Sequence, residues 1–381
     1  MGVLLALSSV ALILLVLIDG FEAMVLPRRV SRLWRPSKIY FRCFWAVCRF
    51  VACWLPAGKR RLGFLGMVGP ISLLGLFTTW VILLVVAFGL LHWSLEIRLN
   101  TPDQRVDFET YLYLSGVTFF TLGFGDVTAQ TDTGRLLTVV EAGFGFGFMA
   151  VIIGYLPVLY QAFSRREVTI SLLDARAGSP PSAAQLLLRL AQSRHVTTVN
   201  TLMAEWERWA AEVLESHLSF PVLSFYRSQH DNQSWLAALT MILDTCAFLI
   251  AGADGADPYQ AQLTFAMARH TAVDLALVFQ TPPRKLTRDR LPPERLAELR
   301  KTLRAAGLVL ADGPAVDAKL TELRELYEPF VCALSQFLLY VLPPIMPEKP
   351  TADNWQTSAW TRRAPGIGQL PGRAAGDEHF D

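Results

Sequence analysis

Between Met67 and Trp93 the chain runs 27 residues without an Asp, Glu, Lys or Arg. As a helix that run is about 40 Å long at 1.5 Å per residue, enough to cross a bilayer with tilt. Two further stretches share the property. Residues 2–18 carry no charge, the lower limit for a span, and the run continues as a helix to Leu26, with Asp19 and Glu22 near its end. Leu136 to Phe163 is interrupted only by Glu141. Apolar residues make up 52% of the 381 and charged ones 18%, against about 25% charged in soluble domains. That excludes disorder and coiled coil, and five cysteines exclude a disulfide scaffold. A cleaved signal peptide is the rival reading of residues 2–18. No basic residue precedes the apolar core and no small-x-small site follows it, which favours an uncleaved anchor.

The charge is distributed unevenly. Residues 1–66 hold ten Lys and Arg against two acids, a surplus of eight; with a net charge of +2, the remainder is negative by six. Nothing in that balance calls for nucleic acid as a partner. Ten basic residues lie between spans one and two, and Arg165 and Arg166 close span three; Arg98, Arg105 and Arg135 are all that the link between spans two and three holds. The positive-inside bias places residues 27–66 and everything after 165 in the cytoplasm. The N-terminus and residues 94–134 are then outside, in a multi-pass protein of the plasma (inner) membrane.

Residues 37–55 place Lys38, Arg42 and Arg49 on one stripe of a helix rich in aromatics. Such a helix lies in the headgroup plane with its cations toward anionic lipid, or else packs on the cytoplasmic domain. Cys43, Cys48 and Cys53 step by five around it and read as reduced thiols.

Between spans two and three, residues 108–120 form an apolar run too short to cross, a re-entrant half-helix with Asp107 and Glu109 at its dipole-favoured start. Thr121-Leu122-Gly123-Phe124-Gly125-Asp126 follows, and Gly134-Arg135 opens the third span. The hexapeptide resembles the potassium-channel filter signature Thr-x-Gly-Tyr/Phe-Gly-Asp. The likeness extends over residues 67–163, to the two-span pore of bacterial potassium channels.

A dehydrating cation needs a cage of oxygens in place of its water, and backbone carbonyls supply a dense stack of them. Turning them to one axis takes dihedrals that glycine adopts cheaply, hence Gly123 and Gly125. The resemblance implies that carbonyls of Thr121, Leu122, Gly123 and Phe124, with the Thr121 hydroxyl innermost, line the path. It also implies that Leu122 and Phe124 side chains pack on the pore helix. Asp126 concentrates cations at the outer mouth. Phe124 replaces the commoner tyrosine, removing a hydroxyl that ties the filter to its neighbours. Val117 stands where some relatives carry a glutamate, and Thr118 matches the family's pore-helix threonine. One chain supplies one filter strand, so the resemblance implies a homotetramer, with K+ as permeant ion and no cofactor.

In span three, Gly145 falls where relatives carry a hinge glycine, while Gly143 and Gly147, continued by Ala150 and Gly154, offer a close-packing face. Pro157 removes a helix hydrogen bond and marks a second gating position. Glu141 is an acid inside a span, read as coupling filter to inner helix, or as a buried partner of Thr118 or a backbone group.

Helical periodicity covers residues 181–195, 199–218, 234–251, 259–280, 293–306 and 315–342 after a short linker, an all-helical domain without a Gly-x-Gly-x-x-Gly nucleotide site or voltage-sensor arginines. Val331 to Leu342 suits a bundle core. His217, His230, Asp231, His270 and Asp274 are weak ligand or metal candidates. The bland reading is capping by Asp231 or Ser234 and surface histidines.

The sequence thus reads as an all-α membrane protein, a tetrameric pore-loop cation channel with a helical cytoplasmic domain. Its parts are an anchor (1–26), a basic link (27–66), a pore domain (67–164), a helical domain (165–346) and a disordered tail (347–381). Within the pore domain lie the outer helix (67–95), pore helix and filter (107–126) and inner helix (135–163). Partners are membrane lipids and an unknown cytoplasmic ligand or protein. Rival readings are a weakly selective cation channel and a membrane-anchored scaffold with a vestigial pore. No nucleophile, base and orienting group cluster as an enzyme requires.

Overall fold

The computed structural model describes residues 2–26, 35–102, 106–193, 196–230, 232–253, 258–286 and 288–347. The expected tail beyond 347 and the candidate Asp231 lie outside them. The chain divides into two compact units, residues 1–161 and 162–381.

The first unit holds α1 (Gly2–Met24), α2 (Pro36–Trp54), α3 (Lys59–Ser94), β1 (Leu99–Asn100), α4 (Phe108–Phe119), β2 (Thr128–Ala129) and the start of α5 (Asp132–Ala177). By length and composition α1, α3 and α5 can each cross a membrane. Helix α3 begins at Lys59, earlier than the charge-free core, because long cationic side chains can extend from an apolar helix to water. Aromatic pairs Phe77–Tyr155, Trp80–Phe148 and Phe88–Phe144 tie α3 to α5, which run antiparallel.

Helix α1 lies along α3 and buries one stripe, Ser9, Ile13, Val16, Asp19 and Gly20. Asp19 is 2% exposed and is held from two other helices. The Ser37 amide (2.9 Å), the Ser37 hydroxyl (2.8 Å) and Trp80 Nε1 (3.0 Å) all donate to it. Arg35 Nε stands 3.5 Å from Asp19 and 3.4 Å from Glu22. A buried charge is tolerable only when paired and hydrogen-bonded, and this one joins α1, α2 and α3.

Helix α2 has three faces. Ser37, Trp45, Cys48 and Ala52 are buried, and Tyr40 sets its hydroxyl over Gly75 of α3. Ile39, Val47, Phe50 and Trp54 are exposed on the opposite side. Exposed Lys38, Arg42 and Arg49 run along one edge between these two faces. Helix α2 therefore docks on α3 and α1 and leaves a free apolar face edged by cations.

The second unit contains the end of α5, then α6 (Ala183–Ser193), α7 (Val196–Ser219), a 3-10 turn (Pro221–Phe225), α8 (Trp235–Gly252), α9 (Pro258–Val278), α10 (Pro293–Ala305), α11 (Pro314–Glu325) and α12 (Glu328–Leu338). Helix α8 is apolar and long enough to be a span, yet every residue from Trp235 to Leu249 is buried among neighbouring helices. A helix hydrophobic all round is a core helix when protein surrounds it. Ser234 caps its start, accepting from the Ala237 amide at 3.0 Å. Thr264 and Thr271 of α9 donate to the carbonyls of Met203 and Ala210 on α7 at 2.9 and 3.0 Å, so α7 and α9 run parallel.

Asp244, the acid inside α8, accepts both terminal nitrogens of Arg290 at 2.9 and 2.6 Å, and Tyr327 donates to it at 2.5 Å. Burial alone would lower the Arg290 pKa; Asp244, together with Tyr327 and Glu328, outweighs it and drives the value upward.

Two sequence expectations fail here. There is no short linker after the inner helix, because α5 continues unbroken to Ala177. The helix expected over 315–342 breaks at Leu326–Tyr327, since Pro329 lacks the N–H an interior position needs and instead starts α12.

His217 is completely buried. Its Nδ1 lies 2.8 Å from the Val213 carbonyl and must carry the proton; bare Nε2 then faces Arg166 at 3.2 Å. Burial first, and then the Arg166 cation, hold its pKa well below the ordinary value.

Two outcomes are expected. Asp19→Leu strands three buried donors and should cost about 3 kcal/mol in thermal unfolding of the purified protein. Below about pH 6.5 the unfolded chain binds a proton that folded His217 refuses. Stability should therefore fall by about 1.4 kcal/mol per pH unit more steeply in the parent than in His217→Gln.

Candidate functional site

The segment between α3 and α5 is a re-entrant loop, and each part is fixed by local chemistry. Asp107 caps α4, accepting from the Thr110 amide at 3.0 Å and its hydroxyl at 2.9 Å. Tyr111 donates to the Ile97 carbonyl at 2.9 Å, with Leu99 and Leu114 packed beside it. The two flanks meet where β1 pairs antiparallel with β2, Leu99 opposite Ala129 and Asn100 opposite Thr128. The Gln130 amide adds a bond to the Arg98 carbonyl at 2.9 Å.

Beyond α4 the chain turns back. The amides of Thr121 and Leu122 donate to the carbonyls of Thr118 and Val117, both at 2.9 Å. Thr121, Gly123 and Gly125 then take φ of 56°, 61° and 78°, whereas Leu122 and Phe124 between them do not enter the positive region. Alternation of this kind departs from helix and strand alike and takes the left-handed region at every second residue. Glycine makes it cheap at 123 and 125; Thr121 bears a strain of about 1 kcal/mol or more. Asp126 accepts from the Tyr113 hydroxyl at 2.8 Å, so a tyrosine of α4 ties down the end of the segment, where Phe124 offers no hydroxyl.

Leu122 and Phe124 are 55% and 67% exposed, contrary to the packing on their own pore helix that the resemblance implies.

Helix α5 presents two opposed faces. Glu141, Gly145, Phe148, Ile152, Tyr155 and Leu159 repeat at helical spacing and face the protomer's own interior. A methyl group added at Gly145 would strike the Phe119 carbonyl at the end of α4, so this glycine permits a backbone-to-helix contact. Gly143 and Gly147, read from sequence as the close-packing pair, and Gly154 meet nothing within 4 Å. The packing role in the protomer thus belongs to Gly145, because it alone of these lies on the inward face. Pro157 lies within α5, which runs on through it.

Glu141 is fully buried. Its partners are Ser115 on α4 and His92 on α3, whose Nε2 lies 3.1 Å away. Thr118, the partner suggested by sequence, is not bonded to it. His92 and Ser115 had no signal in the sequence: one reads as part of an outer helix, the other as small pore-helix filler.

The remaining candidates are not brought together. His217 is locked against Arg166, while His270 is 61% exposed and lies 3.8 Å from Asp274, one turn along α9. His230 is on an exposed bend. No group of three His, Cys, Asp or Glu suited to a metal occurs among the described residues.

A family model described as "Ion channel" matches residues 75–161. The chain is also similar to an uncharacterized membrane protein of Bacillus subtilis, YdjJ, at 21% identity over 206 residues. That alignment covers 51% of this chain and 59% of the relative. No solved structure matches the chain. With its apolar helices, the chain is an all-α membrane protein, and residues 75–161 are similar to an ion-channel family.

Gly145→Ala tests the contact with α4. It should lower stability by about 1–3 kcal/mol, read by thermal unfolding in detergent. A glycine needed only for bending would accept alanine without loss.

Proposed function

We propose that four copies of this chain close a potassium-selective pore around their Thr121–Gly125 segments. The observation that carries the reading is the alternating positive φ at Thr121, Gly123 and Gly125. It supports a column of carbonyls from Thr121, Leu122, Gly123 and Phe124, continued by the Thr121 hydroxyl, which replaces the hydration shell of K+. Four Asp126 carboxylates, each steadied by Tyr113, raise the cation concentration at the mouth. Similarity to an ion-channel family points to passage of ions rather than catalysis.

Assembly is supported by what one chain leaves uncovered. Besides Leu122 and Phe124, the outward face of α5 carries Val139, Phe146 and Ile153 at seven-residue steps, 69%, 71% and 65% exposed. Copies of the chain cover this surface on the far side from lipid. The basic edge of α2 faces anionic headgroups on the cytoplasmic side, which puts the N-terminus outside and the second unit in the cytoplasm. Gating works through α5, bending at Gly145 or Pro157, and the second unit modulates it by binding a cytoplasmic ligand or protein.

Flux into liposomes from the full chain, with potassium, sodium or a large organic cation as the driven ion, tests the reading. Expected is a potassium-preferring leak that barium blocks and that Gly123→Ala abolishes without dispersing the tetramer. Equal sodium and potassium flux would make it a weakly selective cation pore. An assembled tetramer that passes nothing would leave a membrane-anchored scaffold.

A further inference from the structure

His92, Ser115 and Glu141 come from three helices, are completely buried, and among the described residues their side chains bond only to one another and to the backbone of α3. The hydrogens available decide the charge of the group. Ser115 Oγ lies 2.8 Å from the Val85 carbonyl, which can only accept, and also contacts Glu141 Oε1. One hydroxyl proton cannot fully serve both acceptors. His92 Nε2 faces Glu141 Oε2 at 3.1 Å, and its Nδ1 is buried without a partner.

Three protonation patterns compete, since an acid beside an imidazolium would add a buried net charge to an unserved Nδ1–H. A carboxylate beside a neutral imidazole buries a net charge at membrane depth, the costliest choice. A carboxylate beside an imidazolium leaves a charged Nδ1–H with no acceptor. A protonated acid leaves every hydrogen placed: Glu141 donates to Ser115, Ser115 donates to Val85, and His92 Nε2–H donates to Glu141. Only a bare ring nitrogen then lacks a partner, which is the cheapest of the three defects.

We propose that Glu141 is a neutral carboxylic acid in the folded protein, a positioning residue whose proton closes a clamp seating the pore helix between the outer and inner helices. The clamp lies one turn of α5 from Gly145, where the end of α4 touches the inner helix, so it fixes the base on which Thr121–Gly125 stands. The only titratable group facing Glu141 from α3 is His92, and α4 offers only the Ser115 hydroxyl. Along α5 its neighbours one turn away, Thr138 and Gly145, carry no charge. The proton is independent of the pore reading; its effect on conduction rests on it.

Infrared difference spectra of the full chain in lipid, parent minus Glu141→Gln, read the proton directly. A protonated-carboxyl band lost in the variant, and shifted by deuterium in the parent, is expected. Loss of carboxylate bands alone overturns the proposal, whether or not the protein conducts. In flux assays Glu141→Gln, which keeps one donor and one acceptor, should conduct like the parent and lose any fall in flux at alkaline pH. Glu141→Ala, leaving Ser115 and His92 unserved, should fall about tenfold. A Gln variant that assembles as the parent does yet fails to conduct, while the parent conducts, overturns the positioning role.

Discussion

A backbone that leaves its helix at membrane depth must find partners for every N–H and C=O, because hydrocarbon supplies none. The Thr121–Asp126 segment meets this on one side only. Its first amides bond back to the carbonyls of Val117 and Thr118, and its far end is held by Tyr113 and the short β1–β2 ladder. Among the described residues no backbone amide donates to the carbonyls between, which is tolerable where they face water or an ion. Around this segment the packing is about enclosing one awkward stretch of chain.

The frame that does so is joined by buried acids. Asp19 gathers donors from α2 and α3, and Glu141 gathers groups from α3 and α4. Helices in lipid gain little from burying apolar surface against one another, so polar contacts between them, worth about 1 kcal/mol each, weigh more in choosing which faces meet. Asp244 plays the corresponding part in the second unit, where Arg290 and Tyr327 converge on the one acid of α8.

Much of this was legible in the sequence because it is local. The three long apolar runs, the short half-helix with Asp107 at its start, the Ser234 cap, and the glycines at 123 and 125 are each set within a few residues. What stayed hidden joins distant positions: His92 meets Glu141 across 49 residues, Asp244 meets Tyr327 across 83. No periodicity carries that information. The role of Gly145 was also concealed, since the four glycines at 143, 145, 147 and 154 look alike until one of them meets the Phe119 carbonyl. Helix α8 is apolar and long enough to cross a membrane, yet its neighbours make it a core helix, as its place among the helices after residue 165 suggested. Helix α5 outruns its apolar stretch because a helix can pass from one environment to another without a break where no residue forbids it.

The seven-residue spacing of Val139, Phe146 and Ile153 has a geometric consequence. An α-helix has 3.6 residues per turn, so a stripe of period seven slips by about 20° at each repeat. In the proposed tetramer, copies of α5 that keep this stripe covered from Val139 to Ile153 would cross one another with a left-handed twist.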